Sequence, residues 1–334
     1  MAIVHYKGVV GEFDYNNEMF EIGYKDFHDD EPYYRPEDEI LCFNASYTGP
    51  IDLPVGCNSC ERMFQGIDIN PGCYLRNFDT SNVTNMRYMF FNSIIPEDFA
   101  IGDNFDTSNV TDMEGMFESC VIIIGNFVLG NKFNTSKVKN MSRMFCHCYI
   151  PESFSLGENF DTSSVVDMSE MFCGCKVPAG FSLGDKFNTH NVKNMSNMFA
   201  SFIMPDGFTL GNKFDTSNVE NMKLMFLSCR MSYGFNLGNN FITSKVIYMS
   251  GMFHDCRMPR YFTLGDNFDT SNVRDMSNMF NLCEMSEDFT LGNKFVLSNT
   301  LSFKDMFVNC IYPKDRQMEE ILIKTTIDIL KNKE

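Results

Sequence analysis

Hydrophobic residues recur along most of this 334-residue chain at a fixed interval. The segment Phe-Asp/Asn-Thr-Ser returns every 27 residues, with one interval of 28, and each copy continues roughly as N-V-x-x-M-x-x-M-F-x-x-C-x-M-P-x-x-F-x-L-G. Its first residue defines a column of phenylalanines: Phe78, Phe105, Phe133, Phe160, Phe187, Phe214, Phe241, Phe268 and Phe295. Nine copies at one period indicate a tandem-repeat architecture rather than the two domains that length alone suggests.

Each copy contains two predicted elements. The apolar residues of the M-x-x-M-F segment lie at helical spacing and predict a short helix, as in Val219, Met222, Met225, Phe226 and Cys229. Thr216 or Ser217 is the expected N-terminal cap of that helix. The triplet Phe208-Thr209-Leu210 alternates apolar and polar residues and runs into Gly211, which predicts a short strand closed by a turn.

One such unit cannot bury its own apolar face, so neighbouring copies are expected to stack. The sequence therefore predicts an α/β repeat solenoid, leucine-rich-repeat-like, of about nine to ten coils whose short strands pair in parallel about 4.8 Å apart. The columns of Phe, Met and Cys become ladders in its core. Composition agrees, because the chain has 34 Phe, 25 Met and 13 Cys but no Trp.

The predicted domain organisation has three parts. An acidic hairpin or cap region, the repeat solenoid and a C-terminal cap follow one another as residues 1–50, 51–310 and 311–334. Within the solenoid, a degenerate first coil, the regular repeats and a decaying last coil span residues 51–77, 78–294 and 295–310.

Both ends are expected to cap the coils. Val4–Gly8 and Glu18–Tyr24 flank the polar stretch Asp14–Asn17, which predicts a hairpin over the first coil. Apolar residues at helical spacing between 315 and 331 predict a helix that covers the last coil. A partner-binding or dimerising helix is the alternative for this C-terminal segment.

The repeats resemble the BspA-like leucine-rich-repeat family, and more closely its branch in Mycoplasma lipoproteins. The resemblance is carried by Phe105–Val110 with Met113, Met116, Phe117 and Cys120, and it recurs from about Phe78 to Cys310. The 27-residue period and the F-x-L-G strand differ from the shorter period and L-x-L-S strand of that family. The resemblance implies a solenoid used for protein contact, commonly on bacterial surfaces, and no catalytic residues.

The first residues do not predict export. Met1–Lys7 contains no basic stretch, no long apolar run and no lipobox cysteine. No segment approaches the ~18 apolar residues of a membrane span. We therefore expect no membrane span and a cytoplasmic location, with the cell surface as the alternative if a signal peptide has been removed.

The net charge of the chain limits the kinds of macromolecule that it can bind. The chain has 27 Lys and Arg against 44 Asp and Glu, net −17, which excludes direct binding along a nucleic-acid backbone. Residues 1–77 carry 14 acidic and 5 basic side chains. Their centre is either a solvated acidic loop or a contact surface for a basic protein. Its candidate residues are Asp26, Asp29, Asp30, Glu31, Tyr33, Tyr34, Glu37, Asp38 and Glu39.

The cysteines are interpreted mainly as core residues. Seven of the 13 share one repeat column, where Ser93 and Phe202 fill the two gaps, and their odd total fits a reducing compartment. Cys146 and Cys173 lie off this column at equivalent places one repeat apart. With His147 they are weak candidates for a metal or redox site, and two incidental surface thiols are the alternative.

Known catalytic patterns are missing from the sequence. It has no Ser-His-Asp order, H-E-x-x-H, Walker loop or dinucleotide fingerprint, and its glycines recur as turn residues. We therefore expect neither enzymatic activity nor a cofactor. An enzyme or redox protein centred on Cys146, His147 and Cys173 remains a third alternative.

Binding information in a repeat protein lies in columns that vary between copies. The best predicted interface spans residues 214–267, with an ordinary varied solvent face as the alternative, and its candidates are Arg230, Tyr233, Tyr248, Arg257, Arg260 and Tyr261. The leading hypothesis is a non-enzymatic intracellular interaction or inhibitor protein. Its carboxylates would stand in for phosphates on a basic nucleic-acid-binding partner such as a defence enzyme. The alternative is an exported or lipid-anchored adhesin.

Overall fold

The structure, a computed structural model, describes most of the repeat region. It covers residues 56–311 except 70, 76–77, 97–98, 100, 102–103, 123–131, 153, 155, 158 and 287, with Leu53 and the strand backbones before it. The predicted C-terminal helix at 315–331 lies outside the described residues. The chain divides into two compact units, Met1–Asp161 and Thr162–Glu334.

The first unit begins with a five-stranded sheet. In chain order its strands are β1 (Val4–Tyr6), β2 (Val9–Asp14), β3 (Met19–Gly23), β4 (Tyr33–Arg35) and β5 (Ile40–Cys42). They lie in the order β3-β2-β1-β5-β4, with β1 parallel to β5 and the other pairs antiparallel. The antiparallel partners on either side of the stretch 15–17 are β2 and β3, whereas the predicted first arm, Val4–Gly8, contains β1.

The repeats of the first unit are joined by short parallel pairings. Strands β6 (Pro50–Ile51) and β7 (Tyr74–Leu75) form one pair, and β8 (Ile94–Ile95) and β9 (Val121–Ile122) form another. Isolated parallel bridges continue this pattern from copy to copy through Ser59, Asn85, Asp112 and Asn140. Equivalent residues of neighbouring copies thus lie side by side.

Two rows of parallel bridges run through the second unit. One row joins Asp167, Asn194, Asn221, Tyr248, Asp275 and Ser302. The other joins Ile203, Arg230, Arg257, Glu284 and Ile311. The F-x-L triplets contribute a bridge between Thr263 and Thr290, and Phe208 and Leu210 are buried on either side of exposed Thr209.

The predicted helix is absent from the described repeats. The N–H groups of Met195, Asn197 and Phe199 donate at 2.9 Å to carbonyls of the next copy, while Met198 N–H bonds back to Met195. A positive φ of 55° at Asn197 accompanies this alternation, and every described copy has equivalent turns. Because alternate N–H groups of this segment bond to the neighbouring copy, it cannot form the hydrogen bonds of a helix. The helix-like apolar spacing instead belongs to turns that stack from copy to copy.

Aromatic ladders fill the core of each unit. The Phe rings of the Met-Phe pairs stack at 5.3–5.9 Å in the second unit: Phe172, Phe199, Phe226, Phe253, Phe280 and Phe307. In the first unit Phe64, Phe90, Phe117 and Phe145 stack at 5.1–5.7 Å. Most of the methionines are fully buried beside them. Bridge-row side chains such as Arg230, Arg257 and Glu284 are exposed instead.

Candidate interaction surface

Arg230 and Arg257 hold neighbouring places on a bridge row of the second unit. The N–H of Arg230 donates to Phe202 O at 3.1 Å, and that of Arg257 donates to Cys229 O at 3.3 Å. Their backbones are thereby fixed to successive copies while both side chains are exposed. Like charges directly opposite each other on paired strands are destabilising, so packing does not explain this choice of residues.

The next residue on the row relieves part of this repulsion. Arg257 Nε lies 3.2 Å from a carboxylate oxygen of Glu284, and both side chains are largely exposed. Such surface pairs contribute at most about 1 kcal/mol to stability. Charge on this row is therefore available for contact with a partner.

Tyr233, Arg260 and Tyr261 follow these arginines in the loops that precede the F-x-L triplets. Tyr233 is 75% exposed and Tyr261 is 65% exposed. The Arg260 guanidinium carbon lies 5.7 Å from the centre of the Tyr261 ring, within cation–π range. Large, exposed aromatic side chains beside arginines are the composition of protein-binding hot spots.

Tyr261 occupies a backbone position that the three preceding copies give to glycine. Its φ is 62°, and the equivalent residues Gly180, Gly207 and Gly234 have φ of 77–78°. All other described non-glycine residues with positive φ lie in the M-x-x-M-F turns. A side chain in this conformation costs about 1–2 kcal/mol, most clearly for a bulky residue. Tyr261 therefore destabilises the backbone at this position while its aromatic ring lies in solvent.

The structure does not place Tyr248 with the other candidates. Tyr248 is half exposed, but it belongs to the other bridge row, between Asn221 and Asp275. We call the remaining predicted residues the aromatic–arginine surface: Arg230, Tyr233, Arg257, Arg260 and Tyr261. Sequence variation identified all five, and only the backbone geometry distinguishes Tyr261 among them.

The acidic candidates lie almost wholly outside the described residues. Of the segment from Asp26 to Glu39, the structure describes the backbone of β4, which pairs Tyr33 with Cys42 and Tyr34 with Leu41. The side chains of this segment are not described. The acidic contact surface stays a prediction.

The cysteine and histidine candidates are divided between the two units. Cys146 is buried and His147 is exposed in the first unit, and Cys173 is partly buried in the second. His147 has a φ of 54°, as expected for its place at the end of an M-x-x-M-F turn. The metal or redox site proposed for these three residues stays a prediction.

The column cysteines have a structural role that the sequence suggested only in part. The thiols of Cys229, Cys256 and Cys283 each donate to a backbone carbonyl of the preceding copy at 3.1–3.2 Å. Burial raises the pKa of Cys120 to about 12 and that of Cys283 well above its ordinary value. Since the thiolate is the reactive form, these side chains are core donors rather than nucleophiles.

A column of threonines was missed as a functional part of the scaffold. The Thr of each F-[DN]-T-S segment is fully buried, and its hydroxyl donates at 2.8–2.9 Å to a carbonyl of the next copy, as in Thr80, Thr107, Thr135, Thr162, Thr189, Thr216 and Thr243. Thr216 was predicted to cap a helix within its own copy. The recurrence of threonine in eight of the nine copies, with Leu297 in the last, was the signal for a contact between copies.

Comparison with known proteins gives a family but no function. Within the residues that the structure describes, no helix has the length and apolar character needed to span a membrane. Neither a curated protein nor a solved structure matches the chain. Four overlapping segments, 58–176, 130–207, 152–260 and 204–318, match the family described as "Mycoplasma protein of unknown function, DUF285". Because these matches together span well over half of the sequence, this tandem-repeat chain belongs to the DUF285 family of Mycoplasma proteins.

Proposed function

We propose that this protein is a non-enzymatic scaffold that binds another protein through the aromatic–arginine surface. The observation that carries the proposal is Tyr261, an exposed aromatic residue in a left-handed conformation at a position that the three preceding copies assign to glycine. Strained residues are retained where the strain serves a function. Tyr233 and the three arginines supply the adjoining aromatic and hydrogen-bonding groups.

The proposed scaffold is a leucine-rich-repeat-like solenoid of the BspA type. Support comes from the parallel bridges, the stacked phenylalanines and the threonine bonds, which repeat at the same interval within each unit. A scaffold of this kind holds exposed side chains in fixed rows, so little conformational entropy is lost on binding. That is the physical advantage of placing a contact surface on its variable columns.

The test is capture of a partner by tagged full-length protein from its native host, with Tyr261→Gly as the decisive variant. Glycine relieves the backbone cost, so this variant should unfold at the same temperature as wild type or higher, yet lose most of the captured partner. Lys223→Ala, an exposed change in the same unit but outside the surface, should retain it. Equal capture by wild type and Tyr261→Gly would overturn the proposal.

A finer proposal concerns the acidic N-terminal segment. We propose that it contacts a basic protein in the cytoplasm, for example by blocking the nucleic-acid channel of a defence enzyme. The support is its concentration of carboxylates and the net charge of −17. Replacing Asp29, Asp30, Glu37 and Asp38 with their amides should weaken capture and reduce its salt dependence. Unchanged capture would contradict this version.

The rival proposal is a surface adhesin, which the BspA resemblance favours. It predicts that protease added to intact cells removes the protein, while a cytoplasmic marker survives. Protection of the protein under those conditions favours the interaction or inhibitor role.

A further inference from the structure

An open groove of about 670 Å³ lies in the second unit, and none of the aromatic–arginine surface residues line it. Ile247, Arg274 and Leu301 occupy equivalent places in three successive copies along its floor. The row two repeat positions earlier contributes Lys245, Asn272 and Asn299. The groove is therefore a repeating surface with alternating apolar and basic side chains.

The charge of this groove is opposite to that of the chain. Lys245 and Arg274 are exposed and make no ion pair among the described residues. Glu220, the carboxylate of the groove, lies 3.1 Å from Lys193, so this ion pair adds no net charge. On a protein of net charge −17, two uncompensated basic groups in one groove favour an anionic guest.

The backbone of the groove floor is already occupied. The N–H groups of Ile247, Arg274 and Leu301 donate at 2.8–2.9 Å to carbonyls of the preceding copies. The guest therefore cannot join as an added strand and must be recognised by side chains. Leu301, which is 83% exposed, and Ile247 supply the apolar contacts.

The groove wall offers fixed acceptors to such a guest. The side-chain nitrogens of Asn272 and Asn299 donate to backbone carbonyls of the preceding copy at 2.7 and 2.6 Å. These bonds hold both amides in place and leave their oxygens for a new donor. Backbone N–H groups of a peptide are donors of the right kind.

The spacing of the floor residues sets the pattern of the guest. Ile247 and Leu301 are two copies apart, which is about 10 Å at the spacing of paired strands. A peptide in the polyproline II conformation rises about 3.1 Å per residue with three residues per turn, so its residues i and i+3 lie on one face about 9 Å apart. Arg274 lies between the two apolar contacts, so the matching segment has a carboxylate between two apolar side chains.

We propose that this groove binds an acidic segment of a partner protein in the polyproline II conformation, with two apolar residues three positions apart and at least one carboxylate between them. The proposal rests on the proposed protein-binding function and adds a second site with its own ligand chemistry. It goes beyond the aromatic–arginine surface because it does not involve Tyr261.

The probe is the synthetic peptide Gly-Ser-Leu-Glu-Asp-Leu-Ser-Gly, titrated calorimetrically into the full chain at low salt. We expect measurable binding that weakens at least about tenfold in Arg274→Glu and about fivefold in Leu301→Ser. Lys223→Glu makes the same charge change in the same unit outside the groove and should bind as wild type. A peptide with Lys in place of Glu and Asp should not bind.

The outcomes separate the groove from the first surface. Both Arg274 and Leu301 are exposed, so their variants should melt at the wild-type temperature, which a thermal scan checks. Tyr261→Gly should leave peptide affinity unchanged even if it abolishes capture of the cellular partner. Absence of peptide binding, or equal weakening by Arg274→Glu and Lys223→Glu, would refute the groove.

Discussion

At the scale of single residues, the threonine and cysteine columns of the repeat each make their own hydrogen bond between copies. The buried threonine hydroxyl satisfies backbone groups of the next copy, and the column cysteines satisfy carbonyls of the preceding one. Ser93, which stands in the cysteine column, also donates its hydroxyl to a carbonyl of the preceding copy, Phe64 O. Apart from Phe202, which only fits the core, the described column thus holds small side chains that can donate to a carbonyl.

Replacing Thr243 tests this role. Its Oγ1 donates to Asp269 O at 2.8 Å and accepts from Asp269 N at 2.7 Å. Thr243→Val keeps the shape but leaves both backbone groups without a partner, so we expect a loss of about 1–3 kcal/mol in unfolding free energy. Urea unfolding followed by circular dichroism measures it.

Two controls make the threonine test specific. Thr243→Ser keeps the hydroxyl and should lose only about 1 kcal/mol for the missing methyl group. Thr216→Val removes a single donated bond, to Ile242 O at 2.8 Å, and should cost less than Thr243→Val. If valine and serine were equally tolerated at position 243, the hydroxyl would have no role between copies.

At the scale of the element, the repeated unit is a pair of turns rather than a helix. Each turn segment has two positions with positive φ four residues apart, and glycine fills some of them, as at Gly115 and Gly251. Elsewhere the same positions hold Asn, Ser or larger residues, so glycine is not required by the backbone alone. The neighbouring copy decides where it is required.

Gly115→Ala tests that dependence on the neighbour. A Cβ at Gly115 would lie 2.3 Å from Tyr88 Cε1, and Tyr88 is held by a 2.5 Å hydrogen bond to Glu114. Gly211, with a φ of 80°, has nothing within 4 Å of the same atom. We expect Gly211→Ala to cost about 1 kcal/mol and Gly115→Ala clearly more, measured by thermal unfolding.

A double mutant identifies the cause of the larger loss. Tyr88→Ala removes the ring that the new methyl group would meet, so it should restore part of the stability lost in Gly115→Ala. Purely additive losses would show that the clash with Tyr88 is not the reason.

At the scale of the whole molecule, the net charge of −17 coexists with carboxylates that have structural partners. The carboxylate that follows the first Phe of a copy accepts the N–H two residues later, at 2.8–2.9 Å for Asp79, Asp215 and Asp269. The hydrogen bonds from Ser81 and Ser271 lower the pKa of Asp79 and Asp269. At Asp215, burial raises the pKa, but bonds from His190 and Ser217 outweigh it, so its pKa is also lowered.

Acid should therefore destabilise the protein through this column. A carboxyl whose folded pKa is lowered contributes stability above its unfolded pKa of about 3.9 and loses it as the pH falls through the folded value. We expect the thermal midpoint to decrease between about pH 5 and pH 2. Asp112 has the opposite sign, because burial raises its pKa and its protonation relieves that cost.

Asparagine variants provide the control for the acid effect. Asn134 and Asn188 make the same turn with a neutral amide, at 2.9 and 3.0 Å. The triple variant of Asp79, Asp215 and Asp269 to Asn should keep the fold at neutral pH and show a smaller decrease of the midpoint in acid. An unchanged decrease would assign the acid sensitivity to other carboxyl groups.

The sequence by itself determined the repeat, its period and most of the buried residues. The columns of Phe, Met, Val and Cys were visible because a stacked core uses the same residue at each copy. The sequence also located the variable columns that contain the aromatic–arginine surface. Nine copies, the last of them degenerate, supplied this information without any knowledge of the backbone.

Only the tertiary structure decided which backbone satisfies that pattern. Apolar residues three and four apart fit a helix, yet here alternate N–H groups bond to the neighbouring copy. The spacing of apolar residues within one copy contains no information about hydrogen bonds between copies. The strained backbone of Tyr261 and the groove formed by Ile247, Arg274 and Leu301 likewise depend on neighbouring copies. Local spacing fixes which side chains are buried, whereas hydrogen bonding between copies fixes the turn geometry and hence the surface that is exposed.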